Sequence, residues 1–223
     1  RMIREAKAIA QLSHPNVVAV YDVGTADLGG KWVLDGKRPV PGDIYIAMEF
    51  VEGDTLTQWM RAFERSWKEK LSVFQQAAAG LAAAHAVGML HRDFKPDNVL
   101  VGSDGRVRVG DFGLARSLIG PEEPSAAAPR IAALNTTLTA TGTVLGTPRF
   151  MAPETLRGLP NDARSDQFSF CVALYEALWG KHPLPGESAI SIVETGARPL
   201  PPPSDAKIPA EIAGAFFLAG ADP

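Results

Sequence analysis

Apolar positions in the first fifty residues follow two different periods. Residues 1–12 repeat apolar side chains at helical spacing, whereas 17–23 and 44–51 are apolar, β-branched runs of strand length. The stretch 24–43 between these runs is rich in Gly, Pro and Asp, and we expect it to form a long hairpin connection. The pattern therefore predicts one helix followed by two strands.

The middle of the chain is predicted to be helical around one small hairpin. Residues 56–62 have the pattern of a short helix, and 68–87 that of a long Ala-rich one, which Gly88 ends as a left-handed C-cap residue would. Residues 99–101 and 107–109 are short apolar runs on either side of a Gly-containing turn, which predicts a β-hairpin.

The last part of the chain is predicted to be mostly helical. Residues 166–178 are apolar nearly all round, which is typical of a buried central helix. The stretch 117–135 has an irregular pattern, 183–203 is predicted to be loop with a brief helix, and 208–219 a last helix.

Composition places this pattern in an ordinary globular protein. The chain has 223 residues, 46% hydrophobic and 21% charged, which is enough for one domain or two small lobes. Its net charge of −3 gives no indication of a nucleic-acid partner. The single Cys171 fits a reducing cytoplasm and is expected to be a buried, inert thiol. The sequence shows no run of membrane-span length and no signal peptide.

The candidate chemistry concentrates in residues 91–100, with the sequence HRDFKPDNVL. Asp93 and Lys95 are two positions apart on an extended segment, so their side chains share a face. Asn98 and Asp111 lie on either side of the predicted hairpin, and their oxygens suit a hard divalent cation such as Mg²⁺. A base, a cation and a metal cradle are the parts that phosphoryl transfer requires.

These residues resemble a known family. The stretch 91–98 is similar to the catalytic loop of eukaryotic-type protein kinases, H-R-D-x-K-x-x-N. Residues 111–113 match the D-F-G of the same family, and 152–154 its A-P-E. The residues around these motifs resemble bacterial (Hanks-type) serine/threonine protein kinases most closely.

The resemblance implies an α+β, two-lobed kinase fold. Residues 1–50 would be a partial, β-rich N-lobe with helix C and strands 4 and 5, and 51–223 a mostly helical, nearly complete C-lobe. The activation segment would be 111–154. Asp166 would be the aspartate of helix F that holds the backbone of the catalytic loop.

The resemblance also implies the catalytic roles. Asp93 would orient a substrate hydroxyl and accept its proton, and Lys95 would neutralise charge on the γ-phosphate of ATP. Asn98 and Asp111 would hold the Mg²⁺ or Mn²⁺ ions that bridge the phosphates. His91 as general base is an alternative, with a structural role beside Phe112 the other possibility.

Nucleotide contacts follow from the same resemblance. The adenine would hydrogen-bond the backbone at Glu49 and Val51, with Met48 as gatekeeper and Leu100 beneath the ring. Glu5 would be the helix C glutamate that pairs with a lysine on strand 3. Simple core packing of Met48 and a solvated position for Glu5 remain alternatives.

Regulation is expected at the activation segment. Arg92 precedes the base directly and would clamp a phosphorylated residue there, for which Thr139 and Thr141 are the candidates. Thr147 would contact the catalytic Asp93 and Lys95. Together with Lys95 it indicates Ser or Thr acceptors in protein substrates, which could include a second copy of the kinase in trans.

Four features of the family pattern do not appear in the sequence. No G-x-G-x-x-G loop or strand-3 lysine precedes Glu5, and residues 1–6 show no helix start, so we expect the chain to be truncated there. An arginine and a final helix of the family would follow residue 223. The sequence therefore leaves open whether residues 1–223 are active by themselves.

Three functions are compatible with the sequence. The first is a cytoplasmic serine/threonine protein kinase, whose full-length parent could be membrane-anchored. The second is a catalytically impaired pseudokinase that acts as a binding or regulatory module. The third, a small-molecule phosphotransferase of related fold, is disfavoured by the A-P-E motif.

Overall fold

The structure is a computed structural model that describes residues 12–25, 44–112, 149–187, 190–196, 198–203, 208–209 and 211–212. Five strands are present in these ranges: β1 Val20–Thr25, β2 Ile44–Met48, β3 Gly53–Thr55, β4 Val99–Gly102 and β5 Val107–Val109. The α-helices are α1 Leu56–Ala62, α2 Trp67–Ala86, α3 Pro153–Leu156, α4 Ala163–Trp179 and α5 Ile190–Thr195.

The strands form two antiparallel sheets. β1 pairs with β2, with Val23 opposite Ile46. β4 lies between β3 and β5 in the second sheet, where Val99 faces Val109. The predicted hairpin of 99–101 and 107–109 is confirmed. The predicted strand 17–23 begins only at Val20 as a regular strand.

The consecutive helices α1 and α2 both begin with reciprocal caps. At α1, Thr55 Oγ1 accepts from the amide of Gln58 at 3.2 Å and Gln58 Oε1 accepts from the amide of Thr55 at 2.9 Å. Ser66 and Glu69 repeat this capping box at the start of α2. Each box satisfies amides that a helix start leaves unpaired. α2 ends as predicted, with Gly88 at a left-handed φ of 75°.

The core lies between α2, α4 and the β3–β4–β5 sheet. Phe74 of α2, Phe94 of the predicted catalytic loop and Phe170 of α4 pack ring to ring at centroid distances of 5.5 and 5.6 Å. Burial on several sides of α4 confirms the prediction of a central helix from its apolar pattern. The loop that carries Asp93 thus rests directly on the hydrophobic core.

Residues 16–18 join the first part of the chain to this core. The amide of Val18 donates to Val109 O, and the amide of Val109 donates to Asn16 O, both at 2.9 Å. Asn16 Nδ2 donates to Val107 O at 2.8 Å. α2 crosses here at Gly80, where a Cβ would lie 2.3 Å from Asn16 O.

Two strand predictions need correction. The run 44–51 is a strand only to Met48, and the following residues leave the sheet. β3 was not predicted, because its three residues include a glycine and their strand geometry depends on pairing with β4. α5 confirms the brief helix in 183–203. The predicted helix over 1–12 lies almost entirely outside the described residues, as does most of 208–219.

Within the parts of the chain that the structure describes, no helix combines the length and the apolar character needed to cross a membrane.

Candidate active site

The backbone of the loop that carries Asp93 is held by a buried carboxylate. Asp166 of α4 is 2% exposed. Its Oδ2 accepts from the amide of His91 and its Oδ1 from the amide of Arg92, each at 2.7 Å. His85 Nε2 lies 2.8 Å from Oδ2 as a third partner. The two hydrogen bonds to the loop backbone are those expected for Asp166, and the three contacts together let a charge be buried without loss of hydrogen bonds.

His91 is fully buried, and both of its ring nitrogens are engaged. Nε2 donates to Gly110 O at 2.9 Å, and Nδ1 accepts from the amide of Asp93 at 3.3 Å. The ring lies 4.8 Å from Phe112 and 5.6 Å from Phe94. Burial lowers the pKa of His91. The imidazole is therefore structural, and the alternative of His91 as general base is not supported.

The chain turns sharply between this buried histidine and Asp93. Arg92 has a left-handed φ of 64°, a conformation that a non-glycine residue adopts only when its surroundings enforce it. Hydrogen bonds from the amides of Arg92 and His91 to Asp166 supply that constraint. The side chain of Asp93 is 49% exposed as a result.

Asp93 is held by the two residues predicted to act with it. Lys95 Nζ lies 2.9 Å from Asp93 Oδ2. Asn98 Nδ2 donates to Asp93 O at 2.8 Å and to Oδ2 at 3.2 Å. One carboxylate oxygen thus receives a cation and an amide. Among the described residues, the other oxygen, Oδ1, accepts no hydrogen bond.

Asn98 and Asp111 are brought together by the β4–β5 hairpin. Asn98 ends a short 3-10 turn before β4, and Asp111 follows β5. The strands are joined at this end because the amide of Gly110 donates to Asn98 O at 2.9 Å. Asp111 has a left-handed φ of 52° and is exposed, whereas Phe112 is buried. The turn at Asp111 therefore separates an outward carboxylate from an inward ring.

This donor set fits Mg²⁺. The NH₂ group of Asn98 donates to Asp93, so the carboxamide oxygen of Asn98 is left for a cation. Asp111 adds one exposed carboxylate. No group of three or more His, Cys, Asp or Glu side chains in the described residues is arranged to hold a metal alone. Mg²⁺ in phosphoryl-transfer sites is bound by one or two carboxylates together with water and phosphate oxygens, so two protein ligands suffice.

The predicted adenine contacts lie where the chain leaves β2. Glu49 N donates to Ala19 O at 2.8 Å, whereas Glu49 O and Val51 N make no backbone hydrogen bond to another described residue. Met48 is 41% exposed, which argues against simple core packing. Leu100 is half-buried, on the face of β4 opposite that of the buried Val99.

A buried arginine behind this segment was missed in the sequence. Arg108 of β5 is 4% exposed, with Nε 3.0 Å from Glu49 Oε1 and Nη2 2.8 Å from Asp104 Oδ2. Hydrogen bonding to Arg108 and Arg106 holds the pKa of Asp104 far below its usual range. A cation at the centre of a Val-Arg-Val strand must find a partner across the sheet. This requirement is the sequence signal from which the ion pairs of Arg108, though not their partners, could have been predicted.

A second ion pair lies beyond the catalytic loop. Arg149 Nε and Nη2 donate to the two carboxylate oxygens of Glu176 at 3.0 and 2.8 Å. His182 Nε2 donates to Arg149 O at 2.8 Å, while its Nδ1 accepts from the amide of Leu184 at 3.2 Å. Side chain and backbone of Arg149 are therefore both fixed by the end of α4 and the loop after it.

Sequence comparison matches residues 1–209 to the family of the protein kinase domain. The chain belongs to the protein kinase family. The α+β, kinase-like fold expected from the motifs is confirmed.

Named relatives of this kinase chain come from bacteria. Serine/threonine-protein kinase PknL of Mycobacterium tuberculosis is 38% identical over 191 residues, which cover 84% of this chain and 40% of PknL. Serine/threonine-protein kinase PrkC of Bacillus subtilis is 36% identical over 194 residues, 86% of this chain and 25% of PrkC.

The match to a third relative covers more of this chain. Serine/threonine-protein kinase PknA of Mycobacterium tuberculosis is 32% identical over 213 residues, 95% of this chain and 44% of PknA. The chain thus spans less than half the length of these relatives. The resemblance to bacterial serine/threonine protein kinases is confirmed.

Several predicted site residues of this kinase cannot be placed. Glu5, Thr139, Thr141 and Thr147 lie outside the described residues, as does the glycine of the D-F-G. Their roles stay predictions. The structure brings Asp93, Lys95 and Asn98 into contact, and Asp111 follows the strand hydrogen-bonded next to Asn98.

Proposed function

We propose that this chain is the catalytic part of a protein serine/threonine kinase, which transfers the γ-phosphoryl group of ATP to Ser or Thr hydroxyls of proteins. One observation carries the proposal. The half-exposed carboxylate of Asp93 is held by Lys95 at 2.9 Å and Asn98 at 3.2 Å, on a loop that Asp166 fixes from below.

Asp93 orients the attacking hydroxyl and accepts its proton. Its Oδ2 is already bound to a cation and an amide, so the remaining oxygen faces the hydroxyl. Lys95 keeps a positive charge beside the base, where negative charge of the transferring phosphoryl group would develop. Positioning and charge stabilisation supply most of the rate in this reaction class.

ATP and Mg²⁺ are the proposed cofactors, with Mn²⁺ as a substitute. Asn98 and Asp111 would hold the metal, which supplies charge neutralisation across the phosphates when bound. Glu49 O and Val51 N are the backbone atoms for the adenine. Leu100 offers an apolar contact beneath it.

The expected division of the chain remains part of the proposal. Residues 1–50 form the partial N-lobe and 51–223 the C-lobe, with 111–154 as activation segment. Phosphorylation at Thr139 or Thr141, in cis or by a second copy in trans, would engage Arg92. The proposed location of the catalytic part is the cytoplasm, which is compatible with a full-length protein that is membrane-anchored and with one that is not.

The pseudokinase alternative has less support. A binding module needs neither a base nor a cation in contact with it, yet Asp93, Lys95 and Asn98 form one connected group. Relatives named as serine/threonine kinases over 84% and 86% of this chain favour catalysis as well.

The test is transfer of labelled γ-phosphate to a generic Ser/Thr protein by the kinase expressed from its complete open reading frame. Asp93→Asn should lower the rate by about 10²–10⁴, the contribution of general base catalysis. Asp54→Asn, at an exposed position of β3, is the matched control and should leave it unchanged. Equal rates for wild type and Asp93→Asn would remove Asp93 from this role.

A further inference from the structure

A buried arginine joins the segment after β2 to the β4–β5 hairpin. Arg108 of β5 is 4% exposed, and its guanidinium has partners on two sides. Nε lies 3.0 Å from Glu49 Oε1, while Nη1 and Nη2 donate to the two carboxylate oxygens of Asp104 at 3.3 and 2.8 Å. A forked contact of this kind fixes the plane of the guanidinium. Arg108 therefore meets Glu49 as a rigid group.

The sheet leaves room for this arrangement at Gly102 of β4. A Cβ there would lie 2.4 Å from Asp104 Oδ1 and 2.9 Å from Arg108 Nη1. Leu100 lies directly opposite Arg108 in the β4–β5 ladder, so the two side chains share one face of the sheet. The proposed function places the adenine on this face. Because Arg108 is buried there, it can position other groups but has no surface with which to contact a nucleotide.

The segment that follows β2 is held at its two ends. Glu49 N donates to Ala19 O, and Ser103 N in the hairpin turn donates to Glu52 O, both at 2.8 Å. Between these points, Glu49 O and Val51 N make no backbone hydrogen bond to another described residue. These are the two backbone atoms proposed for the adenine, so their direction depends on how firmly Glu49 is held.

The carboxylate of Glu49 provides a second point of attachment. Oε1 is bound by Arg108, and Oε2 accepts from the amide of Ala19 at 3.4 Å. The N–H of Glu49 belongs to the preceding peptide group, so its hydrogen bond leaves the following carbonyl free to rotate about ψ. A side chain held by a rigid cation restricts that rotation. Without Arg108, only the long contact with Ala19 would hold the carboxylate.

We propose that Arg108 is a positioning residue for the nucleotide base. By holding Glu49, it keeps the carbonyl of Glu49 and the amide of Val51 in the orientation that binds adenine. The inference rests on the proposed kinase function and extends it to a residue that touches neither substrate. Arg108 then sets the affinity for ATP and the discrimination between ATP and GTP.

The discrimination follows from the chemistry of the two purines. Adenine carries an amino donor where guanine carries an oxo acceptor. A fixed carbonyl at Glu49 accepts from the amino group, but it would face the oxo group acceptor to acceptor. A site built to pair with one group rejects an analogue that cannot pair. In the absence of Arg108, the peptide group after Glu49 can turn its N–H toward the base, so guanine is rejected less strongly.

The experiment compares Arg108→Met with the wild-type kinase, both expressed from the complete open reading frame. Calorimetry gives Kd for ATP with Mg²⁺, and transfer assays give kcat and KM with ATP and with GTP. Kd and KM for ATP should rise about tenfold in Arg108→Met, the scale of one hydrogen bond to a charged group. The value of kcat should stay within about twofold, because the groups at the reacting atoms are unchanged. The ratio of kcat/KM for ATP to that for GTP should fall by about fivefold.

Arg106→Met is the matched control. Arg106 is exposed on the same hairpin, and among the described residues its ion pair is with Asp104, at 2.7 Å, and not with Glu49. Its ATP affinity and base preference should equal those of the wild type. Inorganic tripolyphosphate, which has no base, should inhibit Arg108→Met and the wild type with the same Ki.

Glu49→Gln removes the same ion pair from its other side, at a side chain that is 24% exposed. It should shift ATP affinity and base preference in the same direction as Arg108→Met. The double variant should be no worse than Arg108→Met, because a contact between two residues is lost only once. If Arg108→Met does not fold, Glu49→Gln answers the question by itself.

Hydrogen exchange in the nucleotide-free kinase tests the positioning without any reaction. The amides of residues 50–52 should exchange faster in Arg108→Met than in Arg106→Met, whereas those in the middle of α2 should exchange equally in the two variants. Faster exchange throughout the chain would indicate a general loss of structure and would count against a positioning role.

Unchanged ATP affinity and base preference in Arg108→Met and in Glu49→Gln would overturn the inference. An equal loss of affinity for tripolyphosphate would overturn it as well, since the effect would not depend on the base. A wild-type protein that binds ATP selectively without transferring phosphate would contradict the kinase function. The effect of Arg108→Met on ATP affinity would still decide the inference, so the two failures are distinguishable.

Discussion

Two aspartates at the loop of residues 91–98 differ in burial and in their hydrogen bonds. Asp166 is 2% exposed and accepts from two backbone amides, with His85 as a third partner. Asp93 is 49% exposed and has one oxygen bound by Lys95 and Asn98. The first has its hydrogen-bonding capacity used within the protein, whereas the second keeps part of it exposed to solvent.

Under the proposed function, this difference separates a structural carboxylate from a general base. A buried charge is tolerated only when its hydrogen bonds are complete, so Asp166 can do nothing except hold the loop. A general base must leave a lone pair accessible, and it relies on a rigid support elsewhere. Asp166 supplies that support for Asp93 through the amides of His91 and Arg92.

The largest effect is expected for Asp93→Asn, which tests the comparison between the two aspartates. Phosphoryl transfer should fall by about 10²–10⁴, because the general base is removed. Stability should change by less than about 0.5 kcal/mol, since the site is half-exposed and the side chain nearly isosteric. Urea unfolding beside the transfer assay measures both. A large loss of stability would make Asp93 structural.

Asp166→Asn should show the reverse order of effects. An amide group in place of one carboxylate oxygen faces a backbone N–H donor, so a buried donor loses its acceptor. We expect a loss of about 2–4 kcal/mol in the free energy of unfolding. Activity should fall because the loop is no longer fixed. The prediction is contradicted if urea midpoints match those of the wild type.

Lys95→Met removes the cation from Asp93, the proposed base, alone. The rate of transfer should drop by about 10²-fold, as for loss of one electrostatic donor in a transition state. Stability should change by less than about 1 kcal/mol, because exposed ion pairs contribute little. Single-turnover transfer and thermal unfolding give the two values. An unchanged rate would show that Lys95 lies outside the reaction.

His85→Leu removes the third partner from the structural aspartate. One hydrogen bond to a buried charge is lost, so the free energy of unfolding should fall by about 1–2 kcal/mol. The rate of transfer at a temperature where the variant is folded should stay near that of the wild type. A selective loss of rate with full stability would instead assign His85 a part in catalysis.

The smallest expected effect is a pH dependence from His91. Burial lowers its pKa, so the folded state favours the neutral ring. This stabilisation is complete above the unfolded-state pKa of about 6.5 and is lost as the pH falls through the lower folded-state pKa.

His91→Phe should therefore lose less stability than the wild type between about pH 7 and pH 5. The difference in slope cannot exceed about 1.4 kcal/mol per pH unit for one proton. Urea unfolding at a series of pH values measures it. Parallel curves for the two proteins would contradict the neutral, buried ring.

Local signals predicted much of the fold and the catalytic loop. Caps, turn residues and apolar period depend on neighbours in sequence, so α1, α2 and the β4–β5 hairpin could be predicted almost to the residue. The loop motif likewise lies within residues 91–98. Contacts between distant residues were harder to predict.

The ion pair of Arg108 with Glu49 could not be predicted from the sequence. Its partner Glu49 is far away in sequence and comes close only when β2 meets the sheet. The same holds for Arg149 and Glu176, and for β3, whose strand geometry depends on β4. None of these pairings follows from a local period. Each needs the positions of two elements at once.

Gly80 bears on attempts to engineer this kinase for higher stability. In the Ala-rich middle of α2, alanine is the best helix former, and Gly80→Ala would gain about 1 kcal/mol in helix propensity. An added Cβ would nevertheless meet Asn16 O at 2.3 Å, and Asn16 also binds β5. A library of variants selected for helix propensity would favour Gly80→Ala. That substitution would push α2 away from the segment at Asn16, which is hydrogen-bonded to β5 of the β4–β5 hairpin.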